Sequence, residues 1–260
     1  HLRTRRQRQM CIRDRPSIAM LKMAATLPSS TNTTSAHTAM QIIKDGTTLR
    51  SAITQQKVAG KRIAFVPTMG NLHQGHLDLV REAKKVADSI VVSIYVNPTQ
   101  FGANEDLDKY PRTLAADCAQ LEALGVDFVF TPSDAEMYPN GFENRTQISV
   151  EHLSNVLCGS RREGHFNGVC IIVAKLFNLV QPDYAIFGQK DLQQLTIIRH
   201  MTSDLCMPIT IIGVDTRREQ SGLAMSSRNG YLSDQKKLLA ANIYATLKKI
   251  KQAIERSHYN

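Results

Sequence analysis

Apolar and polar positions along this chain alternate between two kinds of segment. Ile63–Val66, Ser89–Val96, Val126–Phe130, Tyr184–Phe187 and Ile209–Val214 are short, nearly unbroken apolar runs. Runs of this length without polar alternation predict strands buried on both faces. Between them apolar residues recur at three-to-four spacing. Leu49, Ile53 and Val58 form one such stripe, closed by Gly60, and Leu77, Val80, Ala83 and Val86 form a second. Arg112–Leu124 with Gly125 as its stop, Phe166–Val180 and Asp191–Cys206 complete the predicted helices. From Met40 a short apolar stretch, Ile42 and Ile43, precedes the first helix, and 131–164 is turn-rich and weakly patterned.

This alternation predicts an α/β fold, a Rossmann-like parallel sheet with helices on both faces. In such sheets ligands bind beyond the C-terminal ends of the strands. The polar loops 67–76, 97–102, 188–191 and 215–228 all follow a predicted strand. From Ser233 to about Arg256 the pattern is one Lys-rich helix with an apolar stripe, Leu238, Leu239, Ile243, Leu247, Ile250 and Ile254. The expected organisation is a nucleotide-binding domain over 40–215, followed over 216–260 by the start of a smaller α+β lid domain that this sequence leaves incomplete. Residues 1–39 are Arg/Gln-rich, then Ser/Thr/Ala-rich, without apolar periodicity, and predict disorder. A transit peptide has that composition too. The stretch Arg6–Arg15 also resembles translated adapter sequence, in which case the extension is not native and the chain proper starts at Met40.

Charge changes this picture little. The net charge is +9, but residues 1–39 carry seven Lys/Arg against one acid, leaving 25 basic and 22 acidic residues elsewhere. A basic balance concentrated in the tail argues against a nucleic-acid partner for the folded part. No apolar run reaches the length of a membrane span, so no membrane partner is expected. The five cysteines, Cys11, Cys118, Cys158, Cys170 and Cys206, are widely spaced with no Cys-x-x-Cys pair. That pattern predicts free thiols in a reducing cytoplasm rather than disulfides or a zinc site. Cys158 and Cys170 are expected in the core.

The chemistry concentrates in the loops. His73 and His76 flank Gly75 at a strand-to-helix turn. A helix N-terminus offers free N–H groups and a positive dipole to an anion, and histidines there stabilise developing phosphate charge, protonated or as hydrogen-bond donors. His-x-Gly-His is the pattern of the nucleotidyltransferase and class I aminoacyl-tRNA synthetase superfamily. Gly188-Gln189-Lys190-Asp191 opens a helix after a strand, with Lys190 able to neutralise phosphate and Asp191 able to cap. Met225-Ser226-Ser227-Arg228 offers two hydroxyls and a guanidinium for clamping a triphosphate. Gln100 and Gln194 are uncharged amides suited to reading a small hydroxy acid.

Five ordered blocks, 67–76, 96–102, 164–169, 187–195 and 225–232, carry a resemblance to the pantoate–β-alanine ligase (pantothenate synthetase) family. The resemblance implies ATP-dependent condensation of pantoate with β-alanine through pantoyl adenylate, releasing pyrophosphate and AMP, with Mg2+ on the triphosphate. It implies a homodimer as well. It places ATP against Met69, Gly70, Asn71, Leu72, His73, Gln74, Gly75 and His76, with His76 as proton donor and His73 on the phosphates. It adds Gly188, Gln189, Lys190 and Asp191 on the nucleotide, and Met225, Ser226, Ser227 and Arg228 closing over it. His73, His76, Lys190, Ser226, Ser227 and Arg228 are the implied catalytic set. Gln100, Gln194 and Asn97 fall to pantoate and β-alanine, and Asp117 and Gln120 to the metal. Two positions depart from the family pattern. Arg217 stands where a small apolar residue usually contacts adenine, and Asp215 where proline is common.

Overall fold

The computed structural model of the protein describes residues 39–143 and 145–257. The expectations for residues 1–39, and for Cys11 with them, fall outside this range apart from Ala39.

Six strands form one sheet: β1 (Gln41–Ile43), β2 (Ile63–Thr68), β3 (Ser89–Ile94), β4 (Phe128–Phe130), β5 (Tyr184–Gly188) and β6 (Thr210–Val214). Their order is β1-β4-β3-β2-β5-β6, and every pairing is parallel. The helices are α1 (Gly46–Val58), α2 (Gln74–Val86), α3 (Leu114–Ala123), the single turn α4 (Asp134–Met137), α5 (His165–Val180), α6 (Leu192–Asp204) and α7 (Asp234–Arg256).

The period-2 geometry of β2 divides the core in two. Ile63 and Phe65 face one side, where Leu49 and Ile53 of α1, the apolar length of α5 and Leu195, Ile198 and Met201 of α6 pack on them. Ala64 and Val66 face the other, against Leu77, Val80 and Ala83 of α2 and Cys118 and Leu121 of α3. Helices on both faces explain why the strands read as unbroken apolar runs.

Several expectations shift. Ile42 and Ile43 belong to an edge strand, β1, paired with β4 in register Ile43↔Phe130; three residues are too few to show a period in sequence. Strand β3 ends at Ile94, two residues before the apolar run does. Helix α3 starts at Leu114 rather than Arg112: Thr113, at φ −125° and ψ 39°, lies outside helical backbone and is the cap. Within 131–164, Ser133 caps α4 and a 3-10 turn spans Leu153–Asn155. Cys170 is buried as expected, but Cys158 is exposed: it sits after the exposed, positive-φ Leu157 in a loop. The stripe of α7 is 50–71% exposed along its length.

Where the chain leaves β2 decides where a ligand can go. Strand β2 pairs with β5 only at Ala64 and Phe65. Pro67 has no N–H for a further rung, so the two strands part beyond it. The order also reverses here: β3, β4 and β1 lie on one side of β2, and β5 and β6 on the other. A crevice at such a switch point is the expected ligand site of an open parallel sheet.

One close approach fixes a wall of that crevice. A Cβ on Gly168 of α5 would lie 2.1 Å from the Thr99 carbonyl oxygen. Gly168→Ala should force loop 97–102 off the helix and cost about 1–3 kcal/mol as an overpacked contact. Urea unfolding of the variant beside the wild type measures this.

Candidate active site

Loop 69–73 leaves β2 through two residues of positive φ, Gly70 at 83° and Asn71 at 48°. Glycine and asparagine are the residue types that tolerate this backbone. The turn is held from below by Asp117 of α3, which is 1% exposed. Its two carboxylate oxygens accept from the backbone N–H of Asn71 at 2.9 Å and of Leu72 at 2.8 Å, and from the Thr113 hydroxyl at 3.1 Å. The chain then enters α2 with His73 as N-cap.

The two histidines form the cap between them. His73 Nδ1 accepts from Gly75 N–H at 3.1 Å, and His76 Nδ1 accepts from His73 N–H at 3.3 Å. Their rings lie 4.0 Å apart, tilted by 30°. Gly75 makes this possible, since a Cβ there would come within 2.9 Å of the His73 ring. With Nδ1 accepting, each neutral ring carries its proton on Nε2. Burial lowers the His76 pKa to about 3, helped by His73 and Lys190, and burial and Lys190 lower that of His73. Of the two expected states, protonated or hydrogen-bond donor, these shifts favour the second: at neutral pH both rings are uncharged N–H donors. A second positive charge beside Lys190 in a desolvated pocket is unfavourable.

A cavity of about 210 Å³ opens at the switch point. From the β2 loop, Met69, His73, Gly75 and His76 line it; from β5 and the turn into α6, Gly188, Lys190, Asp191 and Gln194. Asn97 and Gln100 come from the β3 loop, and Asp215, Arg217 and Met225 from the segment after β6. Four loops distant in sequence thus meet at one end of the sheet. The apolar floor, Val169, Ile172, Val173 and Leu176 of α5, went unrecognised in sequence because these residues look like ordinary core.

Other expected residues stand around the cavity without lining it. Leu72 is buried in the core, Gln74 accepts from Arg81, and the Gln189 amide donates to the Gly213 carbonyl. Gly70 faces the Asp117 side of its loop. Ser227 donates to the Asn71 carbonyl at 3.0 Å, and the Asn71 amide returns a bond to the Ser227 carbonyl at 3.3 Å, docking loop 225–228 onto the β2 loop. Ser226 accepts from Arg228 N–H. The Arg228 guanidinium reaches Asp106 with bonds of 2.8 and 2.7 Å, beside the Tyr110 and Phe101 rings. Its hydrogen bonds, with its charge behind them, hold the Asp106 carboxyl below the usual range. Arg217 lies 3.6 Å from Asp78, so its guanidinium has an acidic partner. Asp191 precedes α6 but makes no capping bond, and its carboxylate is 3.6 Å from Lys190 Nζ.

The two residues expected at the metal have hydrogen-bond partners within the protein. The Asp117 oxygens accept the loop's N–H groups, which bond as an acceptor-only carboxylate requires. Gln120 donates to the Ala116 carbonyl of its own helix. Among the described residues there is no group of three His, Cys, Asp or Glu able to hold a metal ion.

Two outcomes follow from these contacts. Asp117→Asn puts an amide N–H against a backbone N–H, and should lower stability by about 1–3 kcal/mol, read from urea unfolding. His76 takes up no proton in the folded state until about pH 3, whereas the unfolded chain does so near its ordinary pKa. Stability must therefore fall as pH drops below about 6.5. Relative to His76→Asn, which keeps an acceptor and removes the titration, the wild type should lose about 2 kcal/mol more between pH 7 and 5, measured by unfolding at both pH values.

Comparison with known proteins agrees with this geometry. The family model described as pantoate-beta-alanine ligase matches residues 41–260. The pantothenate synthetase of Shewanella loihica is 58% identical over 217 residues, 84% of this chain and 77% of the relative. That of Pseudomonas fluorescens SBW25 is 55% identical over 221 residues, 85% of this chain and 78% of the relative. Among solved structures, pantothenate synthetase from Thermus thermophilus aligns with TM-score 0.79 at 44% identity, over 84% of this chain and 77% of its own. Pantoate-beta-alanine ligase from Francisella tularensis, complexed with beta-gamma ATP and beta-alanine, aligns with TM-score 0.76 at 38% identity, over 81% and 80%. With a parallel sheet of the same build, the His-x-Gly-His cap at its switch point and identities of this size, the chain belongs to the pantoate–β-alanine ligase family.

Proposed function

We propose that this chain condenses pantoate with β-alanine at the expense of ATP, with the nucleotide phosphates at the N-terminus of α2. The observation that carries this reading is the pair of neutral, capping histidines lining one cavity with Lys190 and two glutamines. A carboxylate is a poor electrophile, so its oxygen first attacks the α-phosphorus of ATP, the bond to the β-phosphate oxygen breaks, and pyrophosphate leaves. The neutral amine of β-alanine then attacks the carbonyl carbon of the acyl adenylate. The carbon–oxygen bond to AMP breaks, and the amine gives up a proton to yield the amide.

In this reading the chain supplies position and electrostatics. Charge developing on the phosphoryl oxygens is met by the N–H donors of His76 and His73, the Lys190 ammonium and the positive end of α2. Because His76 is neutral, it stabilises that charge by donating a hydrogen bond rather than as an imidazolium. Gln100 and Gln194 read the acid through uncharged amides. Met225, Ser226, Ser227 and Arg228 form the cover, docked on Asn71 and Asp106. Engagement of the triphosphate by Arg228 then requires release from Asp106. Residues 40–215 bind the nucleotide, and the segment from 216 onward covers it.

Magnesium belongs to this reading as part of the nucleotide substrate. With no three-residue cluster of metal ligands among the described residues, the phosphates and water are its natural ligands. A homodimer and a cytoplasmic location complete the proposal on the family resemblance alone. No helix among the described residues is long and apolar enough to cross a membrane.

ATP–pyrophosphate exchange tests the reading. Exchange should depend on pantoate, and exchange without it, or driven by another carboxylic acid instead, would refute the substrate assignment. His76→Ala should slow exchange by roughly 10²–10³-fold, the usual cost of one transition-state donor.

A further inference from the structure

Asn97 was expected to touch the acid directly, but its side chain is fully occupied within the protein. It is 1% exposed. Its amide nitrogen donates to the Gly168 carbonyl at 3.1 Å and to Gln100 Oε1 at 3.1 Å. Its oxygen accepts from the Tyr138 hydroxyl at 2.7 Å and the Thr99 hydroxyl at 3.0 Å. Both donors and both acceptor positions of the carboxamide are therefore taken.

The arrangement has a direction. The Gly168 carbonyl can only accept, so the Asn97 nitrogen must face it. A reversed Asn97 would set oxygen against oxygen there. Gln100 in turn must offer its oxygen to Asn97, because its own nitrogen would meet donor with donor. The remaining end of Gln100 is its nitrogen, whose contact within the protein is the Met69 sulfur at 3.1 Å, a weak acceptor that a ligand oxygen readily replaces. The backbone of Gln100 is pinned as well. Arg162 donates to His165 Nε2 at 2.9 Å, which leaves His165 Nδ1–H to donate to the Gln100 carbonyl at 2.7 Å.

We propose that Tyr138 is a positioning residue for the ligase reaction: through Asn97 it holds the Gln100 amide with its N–H donors toward the cavity, so that the site selects an acid that presents an acceptor oxygen there. Tyr138 is 4% exposed and comes from the turn after α4, in the weakly patterned stretch of the sequence. It never reaches the substrate. Its hydroxyl supplies one of the two donors that keep the Asn97 oxygen satisfied in the orientation Gln100 requires, and a buried acceptor left short of a donor is costly. The substrate consequence rests on the ligase reading above; the direction of the relay does not.

The relay is tested first without substrate. In the wild type the Asn97 side-chain amide protons, both bonded and buried, should exchange slowly with deuterium oxide and give dispersed 1H–15N signals. Tyr138→Phe should speed their exchange and shift the Gln100 side-chain signals. Unchanged Asn97 and Gln100 signals would overturn the relay. Kinetics then test the consequence. Tyr138→Phe should raise KM for pantoate by roughly tenfold, the loss of about one hydrogen bond, and leave KM for ATP unchanged. An equal rise in both would make Tyr138 a packing residue and overturn the proposal. Should Tyr138→Phe fail to fold, Thr99→Val removes the other donor to the same oxygen and is held to the same outcomes. A wild type indifferent to pantoate would strike the ligase reading, and the amide signals would still decide the relay.

Discussion

A single buried carboxylate carries the geometry of the site. Asp117 receives two successive backbone N–H groups from a loop whose conformation glycine and asparagine adopt more readily than other residues. Hydrogen bonds to a charged acceptor are the stronger kind, and in a buried setting they are costly to lose. By fixing Asn71 and Leu72 they set the point at which the chain turns into α2, and with it the place of His73. Asn71 also docks loop 225–228, so the same anchor reaches the cover of the site.

The electrostatics follow from that placement. The helix N-terminus supplies positive potential without a titratable charge, and Lys190 supplies the formal charge from the other side of the switch point. Between them, imidazoles that must desolvate stay neutral. Their capping role then fixes the tautomer, since an Nδ1 that accepts cannot also carry the proton. The bonds that start α2 thus also orient the N–H donors of the two imidazoles.

Two ion pairs hold the loop between β3 and α3. Glu105 meets Arg162 at 2.5 Å, and Asp106 meets Arg228 at 2.7 Å, so adjacent acids bind arginines from two loops distant in sequence. Each pair is partly exposed, which limits its contribution to stability. Their effect is geometric. Arg162 fixes His165, and His165 fixes the backbone of Gln100. The placement of Gln100 at the cavity therefore depends on residues that do not line it.

The sequence by itself determined the parallel α/β class, the helices and most strands, because burial on both faces leaves unbroken apolar runs and helix packing leaves a three-to-four period. It also marked the loops, since glycine, paired histidines and a lysine at strand ends have few structural reasons to recur together. What it did not carry was direction and partnership. Nothing local told that Asp117 would accept two loop N–H groups, that Arg228 would turn to Asp106, or that the floor of the cavity was the apolar face of α5. The exposed Cys158 and the three-residue β1 were missed for the same reason: each depends on what lies opposite. Periodicity is a property of neighbours along the chain, whereas hydrogen-bond direction and the neutrality of the histidines arise only when the strands part beyond Pro67 and distant loops desolvate one another.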